Sequence, residues 1–213
     1  MKTDDLITLL ANHAQPVDRA AAARRYAYAV AAGAAGATLL LLARFGLKPD
    51  LPAALAAAPF WIKLAFPAAM AAGALLMATR LARPGLRVGR RWILVAMPIV
   101  VVWLGAVVTL ASAPSSERLA MVLGTSWRSC PFGIAYLAAP GLAVALWAMK
   151  SMAPTRPRAA GAAAGLLAGA LATMVYCFHC PEMEVAFWAV WYLAGMLLPA
   201  LLGALLAPRL LRW

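Results

Sequence analysis

The chain has 213 residues, of which 65% are apolar and only 12% are charged, and its formal net charge is +12. Soluble domains carry about 25% charged residues, and a small core cannot hide this much apolar surface. The composition therefore excludes a water-soluble enzyme. The basic residues fall in the gaps between apolar runs, so we expect no direct contact with nucleic acid.

Residues 1–19 form a polar N-terminal segment that contains one compact apolar cluster. Two aspartates stand at its start, where they favour a helix N-terminus, and leucines at helical spacing follow them. The pattern predicts a short helix that either docks on a partner protein or lies on the membrane, and both alternatives stay open. The residues expected to make the contact are Asp4, Asp5, Leu6, Ile7, Leu9 and Leu10.

Six apolar runs follow, each long enough to cross a bilayer as a helix, which takes roughly 17–25 residues. Lipid offers no hydrogen-bond partners to an open strand, so these runs must be helical. The sequence predicts an all-α integral membrane bundle over residues 20–213 in contact with lipid. The expected transmembrane helices cover about 26–43, 61–79, 92–112, 131–149, 159–178 and 185–207.

The distribution of Lys and Arg predicts how the bundle is oriented. With the N-terminus inside, fourteen of the 19 basic residues fall in inner segments, and the outer ones are Arg44, Lys48, Lys63, Arg118 and Arg128. Cytoplasmic loops carry the excess of Lys and Arg, so we expect both termini in the cytoplasm and the protein in a bacterial inner membrane. No predicted span has an ionisable residue at its centre, which disfavours an ion-coupled transporter.

A tandem GxxxG pattern, formed by Gly161, Gly165 and Gly169, marks the fifth span. Small residues at this spacing let a second helix approach closely. The partner helix would belong either to the same bundle or to a second copy in a homodimer.

Three cysteines lie toward the predicted outer side, where thiols tend toward disulfide, metal or redox chemistry. Cys130 and Cys180, each followed by a proline, could form a responsive or a static pair. Cys177 and Cys180 form a C-x-x-C, which would suit a membrane thiol oxidoreductase coupled to quinone. Alternatively Cys130, Cys180 and His179 would bind a heavy-metal ion transiently, without a resident cofactor. We favour Cys130 with Cys180, and interpret Cys177 as a small core residue because an apolar setting disfavours thiolate.

Distinctive motifs are spread along the whole chain: Met1 to Ile7 with Pro16 to Arg19, Pro59 to Lys63, Ser126 to Pro131, His179 to Met183, Ala189 to Tyr192 and Pro208 to Trp213. In these motifs the chain resembles the NrsF-type negative regulators of sigma-F, a bacterial family of six-span anti-sigma factors.

The resemblance implies a regulator and not an enzyme. Residues 1–19 would be the cytoplasmic head that holds an extracytoplasmic-function sigma factor at the membrane. Cys130 and Cys180 would report heavy-metal or oxidative stress, after which the sigma factor is released. Cys177 has no place in the family pattern.

Overall fold

The computed structural model describes residues 3, 7–8, 11, 20–86, 88–150 and 152–211, and the predicted all-α bundle is confirmed. Within these ranges, six helices are long and apolar enough to cross a membrane, and two short ones lie between them. Each observed span agrees with its predicted range to within a few residues. In chain order from residue 20 onward, the helices are α1 (Ala21–Arg44), α2 (Leu51–Ala56), α3 (Ala58–Leu81), α4 (Gly89–Ser112), α5 (Ser115–Leu123), α6 (Cys130–Lys150), α7 (Pro157–Tyr176) and α8 (Val185–Leu210).

Helix α7 is the most buried of the six spans, although its Ala- and Gly-rich sequence is only moderately hydrophobic. A Cβ atom on Gly161 would overlap the carbonyl of Gly203, and one on Gly165 would overlap the carbonyl of Pro199. The glycines therefore let α7 and α8 pack backbone against backbone. The tandem GxxxG pattern is used inside one chain, and this face is not available as a homodimer seam.

Helix α4 lies at the periphery of the bundle. Ala106 is its one buried residue among those described, while apolar side chains such as Val101 and Leu104 are exposed. An apolar groove of about 680 Å³ separates α4 from α3. Lipid tails are as apolar as these side chains, so the exposed face of α4 fits contact with lipid.

Consecutive spans run antiparallel, which gives the bundle two distinct ends. At one end the Phe45 ring, directly after α1, lies 5.3 Å from the His179 ring, directly beyond α7. At the other end the Tyr26 hydroxyl, near the start of α1, donates a hydrogen bond to the Ala78 carbonyl (3.1 Å). We call the first the thiol end, because the cysteines lie there, and the second the opposite end. Helix α1 has 24 residues and separates the two by about 36 Å.

Candidate functional site

The three cysteines converge at the thiol end. Cys130 is the first residue of α6, Cys177 follows α7 directly, and Cys180 lies in the loop that leads to α8. All three side chains are free thiols and are fully buried. Two spans, α6 and α7, separate Cys130 from Cys177 and Cys180 along the chain. Because consecutive spans alternate in direction, two spans return the chain to the same end of the bundle.

The Cys130 and Cys180 thiols interact directly with one another. Hydrogen bonding from Cys130 holds the pKa of the Cys180 thiol below its ordinary value, and the positive charge of Lys63 acts in the same direction against the effect of burial. A thiolate is the reactive form toward oxidants and soft metals. The structure thus brings together the pair that the sequence analysis favoured.

Cys177 lies apart from this pair in chemistry, although it belongs to the same cluster. Burial raises the pKa of its thiol to about 12, so it stays protonated at neutral pH. A protonated, fully buried thiol behaves as a small apolar side chain. This agrees with the interpretation of Cys177 as a core residue and disfavours a reactive Cys177–Cys180 motif.

Lys63 lies in the middle of the cluster and is the residue that sequence reasoning missed. The distribution of basic residues places it among the outer charges, but it is part of α3 and its side chain is 0% exposed. Its Nζ atom donates a hydrogen bond to the Cys180 carbonyl (2.7 Å) and lies 5.6 Å from the centre of the Tyr192 ring. A lysine within an apolar run is rare and usually functional, and that signal was available in the sequence.

Tyr192 completes the cluster from α8. It ends a π-helical turn, Trp188–Tyr192, and such turns are frequent at functional sites. Its hydroxyl is fully buried beside the Cys177 and Cys180 thiols, yet it makes no hydrogen bond of standard geometry in the described part of the chain. Thiols are weak hydrogen-bond partners, which accounts for a contact without good geometry.

Glu182 joins two segments at the thiol end of the bundle. Its Oε1 atom accepts hydrogen bonds from the backbone N–H and hydroxyl of Thr125 (2.7 and 2.6 Å) and of Ser126 (3.1 and 3.2 Å). Although burial acts to raise it, these bonds hold the pKa of the Glu182 carboxyl below its ordinary value. Thr125 and Ser126 precede Cys130, so Glu182 ties the segment before Cys130 to the loop that contains Cys180. We call this set of contacts the Glu182 clasp.

The described contacts of His179 do not include a thiol. Its Nδ1 atom is 3.1 Å from the Gly46 carbonyl oxygen, and its ring packs against Phe45 and Tyr176. Within the described ranges, no group of three or more His, Cys, Asp or Glu side chains is arranged to hold a metal ion. The expected ligand set of His179 with two cysteines is therefore not assembled, and Cys130 with Cys180 is the soft-ligand pair that the structure provides.

The N-terminal contact residues fall largely outside the structural description. Ile7 is helical and 58% exposed. Asp4, Asp5, Leu6, Leu9 and Leu10 lie outside the described residues. Helix α1 begins at Ala21 at the opposite end of the bundle, so the segment is joined to the bundle at that end.

The fold and the site define an integral membrane protein with a buried thiol pair at one end of its bundle. The family model described as "Negative regulator of sigma F" (NrsF) matches residues 10–213. The "Probable anti-sigma-F factor NrsF" of Azospira oryzae is 49% identical to the chain, and the "Anti-sigma-F factor NrsF" of Caulobacter vibrioides is 37% identical, each over the full length of both proteins. No solved structure matches the chain.

The chain belongs to the NrsF family, which confirms the resemblance seen in its motifs. It is a regulator and not an enzyme. The alternative of a quinone-coupled thiol oxidoreductase is therefore not supported by its relatives.

Proposed function

We propose that the protein is a membrane anti-sigma factor with a thiol sensor on the outer side. It captures an extracytoplasmic-function sigma factor at the cytoplasmic face of the inner membrane through residues 1–19. Reaction of Cys130 and Cys180 with a heavy-metal ion or an oxidant then lowers its affinity for the sigma factor.

The observation that carries this proposal is the position of the thiol pair relative to the start of α1. The pair lies at one end of the bundle and the N-terminal segment leaves from the other. The excess of Lys and Arg at the N-terminal side favours the cytoplasm for that end. Such an arrangement suits a relay, because a reactant outside can act on a protein partner inside while nothing crosses the bilayer.

Two reactions fit a pair of adjacent thiols. An oxidant of the two-electron class would convert two S–H groups into one S–S bond, taking two electrons while two protons leave. A soft metal cation would instead bind both sulfurs as thiolates, again with release of two protons. Either reaction replaces a hydrogen-bonded contact by a bond between α6 and the loop after α7.

The N-terminal segment supplies the chemistry expected of a sigma-factor contact. Its leucines and Ile7 would give an apolar helix face, and its aspartates would favour a basic partner surface over anionic lipid. A helix of about ten residues is marginal alone in water, so docking would also stabilise it. A coupling free energy of about 1–3 kcal/mol between the thiols and the head would change sigma-factor affinity roughly 5- to 150-fold.

Replacing both sensor cysteines tests the proposal. The double variant Cys130→Ser, Cys180→Ser should still hold the sigma factor but should lose the response of a sigma-dependent reporter to cadmium and to diamide. Cys177→Ser is the matched control, because it removes a buried thiol of the same cluster, and it should respond as the parent does. A normal response in the double variant would refute the sensor assignment.

Deletion of residues 2–15 tests the capture segment separately. The deletion should free the sigma factor without stress, so that the reporter becomes constitutively active and the sigma factor no longer co-purifies with membranes. The control is the simultaneous change of Leu119 and Leu201, both exposed in the bundle, to Ala, which should leave capture intact. Undiminished co-purification of the sigma factor with the deleted protein would refute the role of the head.

The orientation is tested by compartment-specific reporter fusions. A phosphatase that is active only outside should be active when fused after Lys48 or Ser129, and inactive when fused after Arg83 or Leu211. Activity at the second pair of sites would reverse the orientation and with it the separation of sensor and partner.

A further inference from the structure

Lys63 occupies a position that is costly for a charged side chain. It belongs to a membrane-spanning helix and is fully buried. A charge within a membrane protein is normally paired with an opposite charge or with backbone carbonyls. Among the residues that the structure describes, no carboxylate lies within ion-pair distance of Lys63, so its compensation must come from the groups around the thiols.

The partners of Lys63 all belong to the thiol cluster. Its Nζ atom makes a 2.7 Å hydrogen bond to the Cys180 carbonyl oxygen and rests against the face of Tyr192. The Cys180, Cys177 and Cys130 thiols are the groups whose negative charge it would stabilise. A buried ammonium–carbonyl bond is charge-assisted and therefore among the stronger hydrogen bonds in proteins.

Lys48 offers a contrast at the same end of the bundle. It is also nearly fully buried, but its Nζ atom lies 3.5 Å from the Asp50 carboxylate. Its backbone N–H, and not its side chain, contacts the segment after α7 by donating a hydrogen bond to the Phe178 carbonyl (3.0 Å). The Lys48 side chain thus has a carboxylate partner, whereas the Lys63 side chain donates its hydrogen bond to the Cys180 carbonyl.

We infer that Lys63 is a positioning residue of the thiol sensor: it holds the Cys180 peptide so that the Cys180 thiol stays against Cys130. The inference rests on the proposed function of that pair. Cys180 follows α7, where its own N–H donates to the Tyr176 carbonyl (2.9 Å), and among the described contacts Lys63 is the partner of its carbonyl. Cys130 is held by the first turn of α6. Lys63 thus ties the Cys180 peptide to α3 in addition to its bond to α7.

The rate of Cys130–Cys180 disulfide formation measures this positioning directly. The full-length protein in lipid vesicles is treated with diamide, which accepts the two electrons, and the cross-linked peptides are quantified by mass spectrometry over time. Loss of a charge-assisted hydrogen bond should reduce the fraction of molecules whose Cys180 thiol lies against Cys130 by about 10- to 100-fold. Lys63→Met, which is similar in size but cannot donate, should slow the cross-link by that factor.

Lys48→Met is the matched control, because it removes a second buried lysine from the same end without touching the Cys180 peptide. It should form the cross-link within about twofold of the parent rate. Alkylation by N-ethylmaleimide distinguishes lost positioning from general loosening of the bundle: loosening would expose Cys177 as well, whereas lost positioning leaves Cys177 protected. If Lys63→Met does not fold, Lys63→Leu, which also lacks a donor, is judged by the same criterion.

The outcomes separate this inference from the proposed function. A parental cross-linking rate in Lys63→Met, or a rise in Cys177 alkylation that parallels the loss of cross-link, would overturn the positioning role and leave the sensor pair standing. A normal stress response in the Cys130, Cys180 double variant would overturn the sensor without changing the cross-linking comparison.

Discussion

The Glu182 clasp offers the sharpest test of how the thiols are shielded. Because Cys130 and Cys180 are fully buried, a reagent must wait until the surrounding structure opens, and we expect the segments joined by the clasp to limit that opening. The clasp joins those segments through one carboxylate oxygen. Glu182→Ala removes the acceptor while changing no residue of the thiol cluster, so it should make opening more frequent without altering the thiols themselves.

The size of the effect follows from the bonds that are lost. Hydrogen bonds to a charged group contribute about 1.5–3 kcal/mol each. Four donors share one oxygen that is partly exposed, so the whole clasp is discounted to about 2 kcal/mol. Since about 1.4 kcal/mol corresponds to a factor of ten, opening should become about 30-fold more frequent.

Alkylation of Cys130 and Cys180 by N-ethylmaleimide at neutral pH, followed by peptide mass spectrometry, measures this opening. The rate should rise about 30-fold in Glu182→Ala and by a smaller factor in Glu182→Gln, which keeps an oxygen acceptor without the charge. Glu184→Ala is the control, because Glu184 is an exposed carboxylate of the same loop and should leave the rate unchanged. A parental rate in Glu182→Ala would show that other contacts shield the pair.

Three further predictions concern pH and stability. The pKa of the Glu182 carboxyl in the folded protein lies below its ordinary value of 4.5. The stability that the clasp contributes is therefore fully present above pH 4.5 and is lost as pH falls through the folded pKa. The alkylation rates of the parent and of Glu182→Ala should thus differ at neutral pH and converge only in that acidic range. Gly165→Val should lower the free energy of unfolding by about 1–3 kcal/mol, because its side chain would overlap the α8 backbone. Thermal melts in detergent measure the change. Ala159→Val, at an exposed position of α7, is the control and should melt close to the parent. Tyr26→Phe should cost about 1 kcal/mol by removing its hydrogen bond to α3, and Tyr28→Phe, whose ring is 63% exposed, should melt as the parent does.

The number of spans and their ends could be predicted because the bilayer leaves few alternatives. An apolar run of sufficient length must be a helix, and consecutive helices must alternate in direction. Those two constraints are enough to place Cys130, which opens the fourth span, at the same end of the bundle as Cys180, which follows the fifth. No knowledge of side-chain packing was needed for that expectation.

The contacts of Lys63 could not be predicted, since they depend on how each helix is rotated about its own axis. Hydropathy carries no information on that rotation. A lysine near the end of a span gives the same hydropathy value whether its side chain extends toward the headgroups or into the bundle. The π-helical turn that ends at Tyr192 changes the rotation of α8 again, and we find no pattern in the local sequence that predicts it.

Helix α7 shows a second limit of hydropathy. Its Ala and Gly residues give a soft signal, yet it is the most buried span. Small side chains contribute little hydrophobicity but allow backbones to approach, and close packing is what associates helices in lipid. In this bundle one of the less hydrophobic spans is thus the most buried, while the most hydrophobic span, α4, lies at the periphery.

The burial of the thiol pair has a consequence for selectivity. Hydrogen bonding and the charge of Lys63 favour thiolate at Cys180, which would make an exposed thiol react with many electrophiles. If the Glu182 clasp limits access, as the alkylation experiment tests, a reactant competes with reclosing of the loops. Small reactants that engage both sulfurs in one opening are then favoured over those that attack one sulfur slowly. A closed pair therefore discriminates by the number of sulfurs that a reactant can bridge, a property that neither thiol alone would have.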